Sequence, residues 1–486
     1  SSNLTFERLS ILHPYHSTDA NRYYGNPMDK GVLIHGSNCE IRNCEIACSS
    51  GGGLVLGGRY NFVFNCLIHD TDYIGTYASC ITLLGKGNII SHCTLSRTGR
   101  AVIDYGGMQK ALIQFCDMSF SGMLNSDTGL TYGNVIEGDG SEVRYNWLHD
   151  NLDTHVSMGL YYDHGTQNIL THHNVIWAPG MIGISINHYA QYHLLYHNTV
   201  AGDRYSLLSW WGNQYLPDLH GCRFYNNLFQ NFCMTSAGNH SWGNNMQGYT
   251  DLVDQKYLPE GALPIDKGIL IPGINDRFEG LGPDLGAYEF HGERWRAGHD
   301  FKNIPSFDTT RSKPLFRNRL DNPAFEHEDH IRPWSAVGQV EVTRGHKHHG
   351  TPDTARIRMG RASLRLGGSS EIMQGIKVEP GSWYEFAAHV RVDVGPKVIL
   401  GVRDQDGREV YSPFAERQSF FSRGNYPVWF RVKFNFRTGP GQTEANVIIR
   451  RLDDGDGEAY VDDCGVVSLQ VPAGPVPGEH HSLKFR

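Results

Sequence analysis

Eight short segments of this chain share one local pattern: an apolar residue (Thr once), two variable residues, a Cys or Asn, and a second apolar residue two places on. In order they are IRNCEI, VFNCLI, ISHCTL, IQFCDM, VRYNWL, THHNVI, LYHNTV and FYNNLF. The fourth letter falls at Cys44, Cys66, Cys93, Cys116, Asn146, Asn174, Asn198 and Asn227. The spacing varies from 22 to 30 residues while the local pattern holds. A unit of this length cannot bury its apolar face alone, so repetition predicts a stacked solenoid. The segments are short, β-branched and broken by Gly and Asn, without a helical period, which makes each repeat a coil of strands.

A second run supplies the other strand of each coil: GVLIHG (31–36), GLVLGG (53–58), CITLLG (80–85), AVIDYG (101–106), GNVIEGDG (133–140), GLYYDHG (159–165), GISINHY (183–189) and SLLSWWG (206–212). Equivalent residues of adjacent coils then lie about 4.8 Å apart. Asn stacked at a turn satisfies polar groups above and below it, and Cys fills the same place as a small apolar residue. With these motifs, residues 1–290 resemble right-handed parallel β-helix proteins, a superfamily rich in polysaccharide lyases and glycoside hydrolases. GPDLGAYEF (282–290) looks like the closing segment of such a domain.

The chain has 486 residues, enough for two or three domains, with 19% charged residues and 56 Gly. That is the composition of a turn-rich β protein. A net charge of −8 gives no basic footprint for nucleic acid, and no run of 18 apolar residues predicts a membrane-spanning helix. The start SSNLTFERLSIL already matches the coil pattern at Phe6, Leu9 and Ile11, which suggests a processed or trimmed beginning. Of the ten Cys, four sit in the repeat column with parallel side chains that disfavour bonding; Cys222 with Cys233 and Cys39 with Cys48 are candidate pairs.

After Phe290 the coil pattern stops. Residues 291–318 read as a linker or packing strap, 319–470 as alternating strands of an antiparallel β-sandwich, and 471–486 as a tail. DNPAFE, WYEFAAHVRV and AYVDDCGVV resemble carbohydrate-binding modules of the jelly-roll kind. The resemblance implies a structural calcium ion held by Glu326 and Asp463, against the plainer reading of a surface carboxylate pair. Trp334, Tyr411, Phe420, Phe421 and Trp429 are candidate sugar-stacking aromatics, each with a core alternative, and Trp383 is expected in the core.

Aligning the second strand on its terminal Gly gives a column Ile34, Leu56, Leu83, Asp104, the stretch Glu137–Gly138–Asp139, Asp163, Asn187 and Trp210. It is apolar for three coils and then acidic. Around it stand Tyr161, Tyr162, His155, His164, His188, Tyr189, Trp210 and Trp211 as candidate substrate contacts. Carboxylates one coil apart, as in Glu137 with Asp163, would lie about 5 Å apart; two coils apart, as in Asp104 with Asp163, nearly 10 Å. Crowded carboxylates split into a protonated acid and an ionised partner, the arrangement glycoside hydrolysis uses. The catalytic candidates are therefore Asp163, Glu137, Asp104 and Asp139, with no catalytic cofactor. Stacked Asp also caps turns or binds structural cations.

Three functions fit. The first is a secreted glycoside hydrolase whose partner is a polysaccharide. The second is a polysaccharide lyase acting on uronates, for which Lys110, Arg100, Arg144 and Arg204 are the cations of the middle coils. The third is a non-catalytic surface or assembly scaffold. Association of chains is not legible from these patterns.

Overall fold

The computed structural model describes residues 2–16, 31–134, 136–151, 155–164, 166–187, 190, 193–209, 219, 222–235, 240–271, 274–275, 278–306, 319–322, 325, 331–344, 362–392, 396–412, 430–453, 455 and 457–468. They form two compact units, a β-helix up to residue 306 and a β-sandwich from residue 319, each considered by itself.

The solenoid consists of three parallel sheets of nine, ten and ten strands. Each full coil contributes one strand to each, as in Val32–Ile34, Glu40–Arg42 and Glu45–Ser49; these are called here the lead, middle and trailing sheets. Inward residues such as Ile46, Leu56, Ile68, Ile81, Leu95, Ile113, Leu160, Ile184 and Phe224 stack into one continuous core.

The Cys/Asn column lies at the corner between middle and trailing strands. The residue before it has positive φ in every coil: Asn43 (55°), Asn65 (50°), His92 (53°), Phe115 (50°), Tyr145 (52°), His173 (52°), His197 (50°) and Asn226 (58°). That conformation costs an L-residue about 1–2 kcal/mol, and the column opposes this cost with hydrogen bonds. The Asn146 amide donates to Asn174 Oδ1 (3.0 Å), Asn174 to Asn198 (3.0 Å) and Asn198 to Asn227 (2.9 Å). A further rung, Asn245, accepts from Asn227 (2.8 Å). Cys is equivalent at this place for a specific reason. Its thiol donates to the carbonyl two residues back (Cys66 to Phe64, 3.2 Å), the same carbonyl position that Asn174 and Asn198 reach. All ten cysteines are unbonded, which corrects the pairings of Cys222 with Cys233 and Cys39 with Cys48.

Outside the corner the positive-φ side chains form a ring stack. His92 lies on Phe115 (4.8 Å), Phe115 on Tyr145 (5.2 Å), Tyr145 on His173 (4.8 Å) and His173 on His197 (4.9 Å). Burial holds the His173 and His197 imidazoles well below their usual pKa, His197 at about 3, so the rings stack uncharged. A strap seals this stack. Gly286 N–H donates to Asn226 O (2.9 Å), Gly298 N–H to Phe115 O (2.9 Å) and Asp300 N–H to Asn65 Oδ1 (2.7 Å), running back along the coils. Trp295 packs on Phe115, Tyr145 and Tyr288.

The second unit is two five-stranded antiparallel sheets packed around Leu364, Tyr384, Phe386, Leu400, Val447 and Val461. Trp334 belongs to this core, its indole N–H donating to Asn322 O (3.2 Å), so it is no sugar platform.

Candidate functional site

Registry across the lead sheet places Thr82, Asp104, Tyr132, Tyr161, Ser185 and Leu208 opposite one another. Asp163 lies two residues beyond Tyr161, and its backbone N–H continues the ladder to Gly133 O (2.8 Å). Its coil neighbours are therefore Asn134 before and Asn187 after. Asp104 and Asp163 differ by two coils and by two residues along the strand, roughly 12 Å between backbones from ideal strand spacings. They do not share a column.

Glu137 and Asp139 leave the column altogether. The lead strand of their coil is Thr128–Gly133, whereas Glu137–Arg144 is a middle-sheet strand with Glu137 opposite Gln167 and a register shift before Ser141. The phrase GNVIEGDG ends in Gly like a lead strand, but its Gly133 closes that strand and its Glu137 already opens the next. The Glu137 and Asp139 side chains lie outside the described set.

What surrounds Asp163 is a hydrogen-bonded nest. Its Oδ2 accepts from the Tyr132 hydroxyl (3.0 Å) and the Asn134 amide (3.3 Å), and its Oδ1 from the Asn187 amide (2.6 Å). Asp163 is 8% exposed. Tyr161 stands beside Tyr132, ring centroids 5.3 Å apart and nearly perpendicular, and its hydroxyl donates to Asp127 Oδ1 (3.2 Å). Two adjacent phenols thus reach in opposite directions, Tyr132 to Asp163 and Tyr161 to Asp127, acids that the register sets seven residues and one coil apart, roughly 20 Å between backbones. Burial, together with the Asp163 charge, pushes both phenols well above their usual pKa; for Tyr161 the Asp127 charge adds to this. Both remain O–H donors.

Beneath them lies Arg100, 1% exposed, its guanidinium 3.8 Å from the Tyr77 ring centroid and 4.4 Å from that of Tyr132. It donates to Asp127 O (2.7 Å), and its buried Nε has no partner. Burial alone would lower its pKa; the neighbouring Tyr132, Tyr77, Asp104 and Asp127 outweigh that and raise it, so the cation persists. Asp104 is half-buried, and Asp127 is exposed.

The aromatic candidates separate. Tyr162 is not at the surface: it is fully buried in the solenoid core, its hydroxyl paired with Thr171 Oγ1 (2.6 Å). Strand alternation turns it inward while Tyr161 faces out. Tyr161 is itself 3% exposed, packed with Tyr132, Met158 and Ile182, and is available as a positioning group rather than a stacking surface. His155 is exposed and His164 half-buried. His188, Tyr189, Trp210 and Trp211 lie outside the described residues, as do Glu326, Phe420, Phe421 and Trp429. Asp463 lies in strand Ala459–Ser468, its side chain outside the described set. Among the described residues no group of three or more His, Cys, Asp or Glu is arranged to hold a metal ion.

The sequence reading missed Asp127, Tyr132 and Asn134, and named Arg100 as a middle-coil cation for the lyase alternative. A signal was present: TYGN, YYD and SIN place a polar residue directly after the lead strand in three successive coils.

No protein-family profile matches the chain, and no curated protein does. Among solved structures, the enzymatically active domain of tailspike protein 4 of Bacteriophage CBA120 is similar at 10% identity over 90% of this chain and 55% of that one, TM-score 0.29. TmCBM61, solved in complex with β-1,4-galactotriose, matches at 21% identity over 32% of this chain and 99% of its own, TM-score 0.25. The CBM22-1 xylan-binding domain of Paenibacillus barcinonensis Xyn10C matches at 16% identity over 30% and 92%, TM-score 0.23.

Proposed function

We propose that this protein is a secreted polysaccharide-degrading enzyme, a glycoside hydrolase whose catalytic carboxylates sit on the outer face of the lead sheet. Asp163 is the central group, and the observation that supports it is its nest: three side-chain donors fix the carboxylate. Asp104, roughly 12 Å away between backbones by register, is the nearer partner, whereas Asp127 stands at the opposite end of the strand, roughly 20 Å away. Glu137 and Asp139 belong to the following strand and are secondary candidates. One carboxyl protonates the departing oxygen and the other supports attack at the anomeric carbon, directly or through water.

The lyase alternative needs a cation that a uronate carboxylate can reach. Among the described residues Arg100 is the cation beside Asp104 and Asp127, and it is buried under Tyr77 and Tyr132. That favours hydrolysis. The test is a panel of neutral and uronate-containing polysaccharides, assayed for new reducing ends and for the ultraviolet absorbance of unsaturated uronates. Reducing ends without that absorbance support the hydrolase; both together move the assignment to a lyase. No product on any polymer leaves the solenoid as a scaffold.

A further inference from the structure

The dipeptide His-Asp occurs twice on the trailing sheet, at 69–70 and 149–150, each time with Asp at positive φ (53° in both). Ile68 and Leu148 face the core, so His69 and His149 face outward. Each imidazole reaches two carboxylates, one beside it in sequence and one from the coil before. His69 Nδ1 lies 2.6 Å from Asp70 Oδ2, and its Nε2 lies 3.2 Å from Glu45 Oε1. His149 Nδ1 lies 2.7 Å from Asp150 Oδ2, and its Nε2 lies 2.8 Å from Asp117 Oδ1. A histidine placed in this way fastens one coil to the next.

The two clasps differ in the source of their positive charge. Register sets Ser96 beside His69 in the following coil, and Trp177 beside His149. After Ser96 comes Arg97 (φ 55°); after Trp177 comes Ala178 (φ 43°). Arg97 Nε donates to Asp70 Oδ1 (2.6 Å), and its Nη2 donates to Asp70 Oδ2 and His69 Nδ1 (2.8 Å each). A guanidinium only donates, so His69 Nδ1 accepts there and a permanent cation balances Asp70. At His149 the Trp177 ring stacks on the imidazole instead, centroids 4.2 Å apart and planes at 8°. His149 can donate to both its acids only with both nitrogens protonated. Burial alone would lower its pKa; the hydrogen bonds and charges of Asp117 and Asp150 outweigh that and raise it. Lys256, which lies beside Asp254 and 4.3 Å from the Trp177 centroid, and His299 are further basic groups in electrostatic reach of Asp117.

We propose that His149 is a pH-sensitive clasp: as an imidazolium it holds strand Asp117–Ser119 to strand Trp147–His149, and its deprotonation releases one of its two carboxylates. Those strands run on into Thr128–Gly133 and Ser157–Tyr162, so the clasp tightens the coils that lead into Tyr132 and Asp163. A group with a raised folded-state pKa contributes its stability in full below its unfolded value, here 6.5, and loses it as pH rises through the folded value. The solenoid is therefore firmest in mild acid. His69 with Arg97 is the same clasp made insensitive to pH by a fixed charge. The device rests on the trailing sheet alone and stands or falls apart from the catalytic reading.

The test is thermal unfolding of the full chain between about pH 6 and pH 9, together with NMR titration of its imidazole C–H resonances. The wild-type melting temperature falls as pH rises, and the His149 resonance, identified by its loss in His149→Gln, titrates above 6.5. In His149→Gln the fall is smaller by at least about 1 °C; Glu289 is present in both proteins, so its own contribution cancels. His69→Gln keeps the wild-type fall. Ala178→Arg supplies at the second clasp the charge that Arg97 supplies at the first, and it too flattens the fall. This variant keeps every clasp residue, so it decides the matter should His149→Gln fold poorly. An undiminished fall in folded His149→Gln or in Ala178→Arg, a His149 resonance that titrates below 6.5, or a flattened fall in His69→Gln each overturns the proposal.

Discussion

Replacing Asp163 separates its chemical role from its structural one, and the two substitutions that do so have different expected costs. In Asp163→Asn the amide oxygen can still accept from Tyr132 and Asn134, now at 3.0 and 3.3 Å. The new NH2 then faces the Asn187 amide, 2.6 Å away in the wild type, which must rotate to offer its oxygen. The expected loss is about 1 kcal/mol, the worth of one weakened hydrogen bond. Asp163→Ala instead leaves the hydroxyl of buried Tyr132 and two amides without their acceptor. A buried donor left unsatisfied costs about 1–3 kcal/mol; with the two amides better able to recruit water, the expected loss is about 2–4 kcal/mol on the same scale. Activity should not follow this order. Both variants lose the carboxylate, and general acid–base assistance is worth about 10²–10⁴ in rate, or roughly 3–5 kcal/mol of barrier. Thermal unfolding ranks Asn above Ala, while reducing-end release falls at least a hundredfold in both. An Asp163→Asn enzyme with near wild-type turnover refutes the catalytic assignment. An Asp163→Ala protein as stable as wild type refutes the nest.

Two further perturbations test the scaffold. Asn198→Ala removes an amide that reaches Asn227 Oδ1, Thr171 O and Tyr196 O and accepts from Asn174, all buried. The expected loss is about 3 kcal/mol by urea denaturation, and Asn198→Cys restores part of it because a thiol reaches the carbonyl two residues back; equal stability of Ala and Cys variants contradicts this account of the column. Glu289 in the closing segment is raised to about 7 by burial and the nearby Asp284 charge. The folded state therefore binds its proton more tightly than the unfolded chain. The associated stability is complete below about pH 4.5 and declines as pH rises through 7. Glu289→Gln should flatten that decline and raise the melting temperature at pH 8, and an unaltered pH profile is the adverse result.

The architecture was legible because its signal is redundant. Each coil restates the corner, and a Cys or Asn there does one job that the backbone makes obligatory: it satisfies polar groups beside a positive-φ residue. Alignment on the terminal Gly also placed Ile34, Leu56 and Leu83 correctly in register. The closing segment was visible in GPDLGAYEF, although nothing local in 291–306 says that it runs back over a ring stack. That depends on Trp295 meeting Tyr145 and Phe115, residues far from it in sequence.

The acidic column failed for a physical reason that also explains the present site. Glycine ends several lead strands, but it equally occupies the turn that follows, so it marks a region rather than a register. In the coil of Thr128–Gly133 the alternation GLTYG carries the strand, and taking IEGDG instead advanced the coil past its own turn. Once Tyr132 is restored to its place, the polar residue after each strand lines up as Asn134, Asp163 and Asn187, with one acid between two amides. An isolated carboxylate held by neutral donors is a different device from a stack of repelling acids. Its partner has to come from outside that column, and Asp104 is the nearer by register. Asp127 precedes the strand rather than following it, so it meets the Tyr161 hydroxyl at the far end of the wall from Asp163. Tyr132, with its ring on Arg100 and its hydroxyl on Asp163, is thus what joins the structural wall to the candidate catalytic acid.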